Sequence, residues 1–364
     1  MLAVAAAIGG CGSGADGDPA LTVYLSAPLK EPAAADGRDV ADGARMALDD
    51  AGAEAGGTPV RLVVLDDAGP AGAEAALAGA NARTATEDST AIAYIGELDS
   101  GTTRTSLPIT NEAGLLQVSA GASATDLTRA APGSDQIPDE VQPSGVRSFA
   151  RVIPSDVAQG AAAAGAATDA GVRDVRLFGD GGLYEQSLEY GYESVSTAPP
   201  LAPGGPAEGV YNAGMVSGGA GLPAGLGSQA PRFIVGADAQ IHDSPPAAGL
   251  QLGALLISGS LAPEQLADPD FADLFRDAYD RPPGRFAAYG YEAMASVLDA
   301  IDRADDSLDR QSVIDAYFAT SDRDSVLGTY SIDDAGDTTL DRVGAYLERN
   351  EPLLKPLPEP LTVP

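Results

Sequence analysis

The sequence predicts an α/β protein built around parallel sheets, and three observations carry that prediction. Short apolar runs alternate along the chain with segments of helical period. Inside several runs, "LVVL" among them, no polar residue interrupts the apolar series, as expected of strands covered on both faces. The alternation also occurs twice, on either side of a Pro- and Gly-rich loop over 130–147. A chain of 364 residues with 44% hydrophobic content can build two such blocks, each with its own core.

The first block opens with "LTVYLSAP" (Leu21 to Pro28), a buried strand that Pro28 ends. Asp36 to Gly57 reads as a helix, because Val40, Ala44, Ala47, Leu48 and Ala51 repeat at three and four and Gly56 with Gly57 stops it. A strand over Pro59 to Gly69 follows, then an Ala-rich helix from about Gly72 to Ala85, a strand Ala91–Ile95, a helix Thr102–Ala113 and a strand Leu115 to Ser119. The second block starts with the strand "SFARVI" and the helix "SDVAQGAAAAGAATDAG", for which Ser155 is the expected N-cap. Strand "DVRLFGD", helix "LYEQSLEYGYESV" and strands "GVYNAG" and "RFIVGAD" come next, then an apolar strand over Leu252 to Leu261. Three helical segments, "DPDFADLFRDAYD", "RFAAYGYEAMASVLDAIDRA" and "DRQSVIDAYFAT", precede "GTYSIDDAGDTT" and a strand-like "RVGAYLE".

Charge and motif content exclude several functions. The chain carries 53 acidic against 21 basic residues, a formal charge of −32. Such a surface repels nucleic acid and anionic lipid headgroups, so neither is expected as a partner. His242, the single histidine, lies in "QIHDSPP", a loop, and no Cys/His cluster could hold a metal. Neither G-x-S-x-G nor G-x-x-x-x-G-K-[ST] occurs, and "DDAGDTTLD" (Asp333 to Asp341) fails the spacing of a calcium loop. The paired acids Asp49–Asp50, Asp66–Asp67 and Asp305–Asp306 read as solvated helix ends and turns. With no nucleophile–base set, no enzyme, metal site or cofactor is expected.

In an open parallel sheet, ligands bind beyond the carboxyl ends of the strands. The positions of interest are therefore Ser26 to Lys30, Glu97 to Thr102, Ala120 to Thr125, Asp180 to Tyr184, Gly214 to Met215 and Asp238. The stretch "IGELDSGTTRTSLP" (Ile95 to Pro108) crowds hydroxyls where a helix begins. Such hydroxyls either cap the helix or, with its unpaired N–H groups, hold an anion such as a carboxylate.

The N-terminus carries a separate signal. "MLAVAAAIGGCGSG" is apolar up to Cys11, the only cysteine, and a small, polar, acidic tether follows as far as Pro19. "IGGC" resembles the bacterial lipoprotein signal, in which the cysteine is acylated. That implies export and anchoring at the outer face of the cell membrane through Cys11, with 1–11 as signal and 12–19 as tether. No later apolar run approaches the ~18 residues of a membrane span.

Taken together, "LTVYLSAPL", "DGARMALDDAG", "GTPVRLVVLDDAG", "YIGELDSGTTRTSLPITNEAGLLQVSAGASATDLT" and "AAYGYEAMASVLDAIDRA" resemble the type I periplasmic binding proteins. The nearest branch binds leucine, isoleucine and valine for ABC importers. The resemblance runs from about Leu21 to Leu347 and is weakest between Thr197 and Pro231. It implies two Rossmann-like lobes joined by three crossovers, near Ala150–Val152, Ile257–Ser260 and Thr329–Ile332, with the ligand in the cleft between them. Lobe one is then 20–150 plus 258–329, lobe two 151–257 plus 330–349, and 350–364 a tail.

By the same resemblance Ser100 gives its hydroxyl and N–H to the ligand's α-carboxylate, and Ser123, next to Ala122, adds a second hydroxyl. The carbonyl of Gly121 accepts from the ammonium. Tyr184 and Asp238 match cleft residues of lobe two, and Met215 stands where the family often has a Tyr. The implied partners are an amino-acid-like ligand and ABC permease subunits, with hinge closure as the mechanism. The alternative is a sensory module for another small molecule, such as an amide or an aromatic or organic acid.

Overall fold

In a computed structural model the described residues are 20–130, 138–172, 175–178, 183–196, 209–212, 233–236, 255–305, 307–347 and 355–364. They form two α/β lobes, each built on a sheet.

The first half of the chain contributes β1 (Leu21–Ala27), α1 (Ala34–Asp50), β2 (Glu54–Ala55), β3 (Thr58–Asp66), β4 (Ala68–Gly69), β5 (Gly72–Ala73) and α2 (Ala75–Glu87). It continues with β6 (Ala91–Ile95), α3 (Ser100–Glu112), β7 (Leu116–Ser119) and β8 (Phe149–Arg151). The six-stranded sheet of lobe one has the order β2-β3-β1-β6-β7-β8, parallel except for β2. Side chains of β1 and β6 alternate between two cores, as a period of two requires. Val23, Leu25, Ala93 and Ile95 pack with α1, while Tyr24 and Tyr94 pack with Ala82 and Ala85 of α2. All five residues of β6 are buried. The "LVVL" run in β3 is only half-buried, because β2 pairs with Thr58 and Pro59 alone and leaves this run at the sheet edge.

The second half supplies α4 (Asp156–Asp169), β9 (Val175–Phe178), α5 (Leu183–Val195), β10 (Gly209–Asn212), β11 (Phe233–Gly236) and β12 (Leu255–Ser258). Then come α6 (Phe271–Tyr279), α7 (Ala287–Arg303), α8 (Arg310–Phe318), β13 (Arg342–Leu347), β14 (Lys355–Pro356) and β15 (Leu361–Thr362). Ser155 caps α4 as its sequence suggests, accepting from the Ala158 N–H. Strands β9 to β12 run parallel, and β13 is antiparallel to β12. The last residues do not trail off: β14 and β15 both pair with β13.

The chain returns to lobe one for its three C-terminal helices. Phe271, Phe275, Met294, Val297, Val313 and Tyr317 join the core that holds Val23 and Val40. Helices α1 and α7 touch backbone to backbone. A Cβ on Gly43 would lie 2.0 Å from the Ala287 carbonyl oxygen, and one on Gly290 would lie 2.2 Å from that of Val40. Only glycine allows this approach.

Candidate ligand-binding cleft

The strand order β3-β1-β6-β7-β8 reverses direction between β1 and β6. At such a switch point the loops after the two strands part and leave a crevice. A cleft of about 670 Å³ opens there. Lobe one lines it with Pro28, Leu98, Asp99, Ser100, Gly121, Ser123, Phe286 and others, and lobe two lines it with Asp156, Leu183, Tyr184 and Ser187.

Ser100 is the first residue of α3, and the cap of that helix is its neighbour. Asp99 has extended backbone, and its carboxylate accepts the Thr102 N–H at 2.9 Å. The Thr103 N–H goes to the Asp99 carbonyl. Of the four amides a helix start leaves without intrahelical partners, those of Ser100 and Gly101 remain at the cleft wall. The hydroxyl cluster of the sequence is thus not the cap. Ser100 Oγ instead accepts from the Ala124 N–H at 3.1 Å, which leaves its own proton to be donated.

The 120–125 loop follows β7. Ser119 Oγ accepts from the amides of Gly121 and Ala122 and donates to the Glu97 carbonyl at 2.6 Å, tying this loop to the one after β6. Gly121 lines the cleft, and a Cβ there would lie 2.6 Å from the Leu98 carbonyl oxygen. The glycine is required by that neighbouring loop. Ser123 lines the cleft, whereas the Ala122 side chain turns away into a buried cluster with Leu107, Leu127 and Phe149. Tyr184, on the first turn of α5, stands half-buried across the cleft, its hydroxyl 3.4 Å from Gln159 Oε1. Met215, Asp238 and Cys11 lie outside the described residues.

Several wall residues carried no local signal in the sequence. Arg104, one turn into α3, donates through Nε to Asp126 at 2.8 Å, bonds the same carboxylate through Nη2, and gives Nη1 to the Ser100 carbonyl. Asp36 pairs with Arg285 at 3.4 Å. A basic residue is scarce enough here, with 21 in 364 positions, that Arg104 beside the hydroxyl cluster was the available clue.

Beneath the cleft lies a buried acidic pair. Asp67 and Glu97 are both fully enclosed, so Asp67 is not the solvated turn residue that its "DD" context suggests. Burial pushes both carboxyls up, Glu97 well above the ordinary range, and the neighbouring Asp67 carboxyl adds to the rise at Glu97. Tyr94 donates to Glu97 Oε1 at 2.5 Å, while Glu97 Oε2 and both Asp67 carboxylate oxygens are buried without a hydrogen-bond donor from the surrounding residues. Among the described residues no group of three or more His, Cys, Asp or Glu side chains could hold a metal, and no helix is long and apolar enough to cross a membrane.

Comparisons with known proteins agree with this architecture. Residues 22–199 match the family model described as "Periplasmic binding protein". A leucine binding protein from Thermotoga maritima superposes with a TM-score of 0.67 at 22% identity, over 93% of this chain and 97% of the other. An ABC transporter substrate-binding protein from Desulfitobacterium hafniense, solved with Leu, gives 0.70 at 18% identity, over 93% and 100%. A solute binding protein of an ABC transporter from R. palustris, in complex with benzoate, gives 0.65 at 17% identity, over 95% and 97%. No protein of curated function matches the chain.

Proposed function

From a chain whose residues 22–199 carry the periplasmic binding protein pattern and whose fold is that of the two-lobed type I members, we propose an extracytoplasmic solute-binding protein of an ABC importer. It takes a small amino-acid-like ligand, most simply a branched-chain amino acid. Relatives of the same fold bind leucine, isoleucine and benzoate, and a carboxylate is what these ligands share.

The observation that carries the reading is the start of α3. Two amides and a hydroxyl proton with no role in capping stand at a cleft wall, where the helix dipole favours an anion. Ser123 supplies a second hydroxyl, and the Gly121 carbonyl is the acceptor for an ammonium. Leu98, Pro28 and Phe286 offer apolar surface to the side chain. On lobe two, Tyr184 closes over the ligand, with Met215 and Asp238 assigned to the same wall. Lobe one binds first, and hinge closure then buries the charged head before the closed form docks on the permease.

The division into lobe one (20–150 plus 258–329) and lobe two (151–257 plus 330–349) belongs to this reading. So does a lipid anchor on Cys11. A Cys11→Ser chain that still partitions with membranes would refute the anchor.

The test of the ligand is thermal unfolding of the chain from Gly12 onward against amino acids, amides and benzoates. A ligand at 100 times its Kd adds about 2.7 kcal/mol of stability, a clear rise in Tm. A rise with one aliphatic amino acid alone supports the reading. A rise with benzoate alone keeps the carboxylate site and rejects the ammonium contacts. No rise with any compound rejects the assignment of this cleft.

A further inference from the structure

Arg151 is the last residue of β8 and, among the described residues, the largest side chain completely enclosed. A buried guanidinium persists only when its donors are satisfied and its charge is paired. Its Nη1 donates to the carbonyls of Ala122, at 3.2 Å, and Ala124, at 2.7 Å. Its Nη2 donates to Thr128 Oγ1 at 2.6 Å, and Nε donates to Asp337 Oδ1 at 2.8 Å. The carbonyl between the two, that of Ser123, accepts from the Asp156 N–H at 3.0 Å. Three consecutive carbonyls of one cleft loop are therefore held by the segment 151–156, through which the chain first passes from lobe one to lobe two.

Asp337 lies on the segment 319–341 that leads from α8 back to β13, the last passage between the lobes. The main chains of the two passages also meet, since the Arg151 N–H donates to the Gly336 carbonyl at 3.0 Å. Burial alone would raise the Asp337 carboxyl, but the Arg151 and Arg129 guanidiniums hold it below the ordinary range, so the pair is ionic.

We propose that Arg151 is a positioning residue that locks the 121–125 loop to both the first and the last interlobe passages, so that loop geometry and hinge position change together. The two passages and the loop move as one bonded unit, and rotation at the hinge reaches Gly121 and Ser123 without a contact from the ligand. That 121–125 is a ligand loop rests on the proposed function; the coupling itself does not.

The experiment is amide hydrogen exchange on the full chain without ligand, for the unaltered protein, Arg151→Lys and Asp337→Asn. The reporters are the amides of Gly121, Ala122 and Ala124, bonded to Ser119 and Ser100, and those of Gly336 and Asp337, bonded to Asp333. Lysine keeps the charge and loses the fork, so both groups should exchange about tenfold or more faster. Asp337→Asn touches none of the loop carbonyls, yet it should also speed exchange at 121–124. An Asp337→Asn chain that loosens 336–337 and leaves 121–124 unchanged overturns the proposal, and it decides alone if Arg151→Lys does not fold. Dissociation of L-leucine, followed in parallel, should be faster in both variants. Coupled exchange with no L-leucine binding by the unaltered protein would reject the ligand assignment and leave the coupling standing.

Discussion

Ser100 Oγ and the Ala124 N–H are bonded at 3.1 Å, so the first residue of α3 reaches across to the loop after β7. The same hydroxyl keeps a proton to give away. Ser100→Ala should weaken ligand binding about tenfold or more, as expected for a bond to a charged group. Calorimetric titration with the ligand found by thermal shift measures it. Affinity equal to that of the unaltered protein would remove Ser100 from the site.

Asp99, and not a hydroxyl, ends the backbone of the helix start. Asp99→Ala should lower stability by about 1 kcal/mol, the usual worth of a cap. The urea midpoint reads this directly. Thr102→Val keeps the Thr102 N–H bond to Asp99 Oδ1, so it should cost less. A larger loss for Thr102→Val than for Asp99→Ala would contradict the capping assignment.

The Asp67–Glu97 pair sets a pH dependence. Both carboxyls are raised by burial. The folded protein therefore holds a proton that the unfolded chain has already released above its ordinary carboxylate pKa. Stability must fall as pH rises from that range toward the folded pKa, by at most about 1.4 kcal/mol per pH unit for one proton. Glu97→Gln removes one titrating group, so its stability should decline less steeply from pH 5 to 8. Parallel curves for the two proteins would show that Glu97 does not carry the proton.

Gly121→Ala would bring a Cβ to 2.6 Å from the Leu98 carbonyl oxygen. One of the two cleft loops must move. A loss of about 1–3 kcal/mol is expected, as for overpacking, together with weaker ligand binding. An unaltered urea midpoint would show that the loops yield freely.

A charge of −32 makes self-repulsion a general term in stability. Raising salt from about 0.01 M to about 0.15 M shortens the screening length from ~30 Å to ~8 Å, so Tm should rise. A flat Tm over that range would mean that the acidic groups are already neutralised locally.

Much of lobe one could be read from the sequence because its signals are local. β6 begins and ends where "AIAYI" does, and the end-of-strand rule covers 97–102 and 120–125, the ranges within which Ser100, Gly121 and Ser123 line the cleft. What escaped was non-local. Arg104 meets Asp126 across a helix and a strand, and neither residue's neighbours hint at the other. Asp67 sits in a run that looks like any solvated turn; only Glu97, arriving from the next strand but one, encloses it. The cap was ambiguous for a different reason. Asp99, Ser100 and Thr102 are all competent caps, and backbone conformation selects among them. Arg151 gave no sign at all, since its partners come from 122–128 and from 337.

The glycine contact between α1 and α7 has a consequence for how the molecule is made. Lobe one is begun by residues 21–151 but sealed by a helix at 287–303. During synthesis α1 presents Val40, Ala44 and Ala47 without their partner until α7 has been translated, after α4, α5 and β9 to β12 of lobe two. Contacts so distant in sequence form slowly, and apolar surface left open in the meantime invites association with other chains. The earliest lobe to appear waits for a helix made much later, and a nascent chain halted before residue 287 should need a holding chaperone to stay soluble.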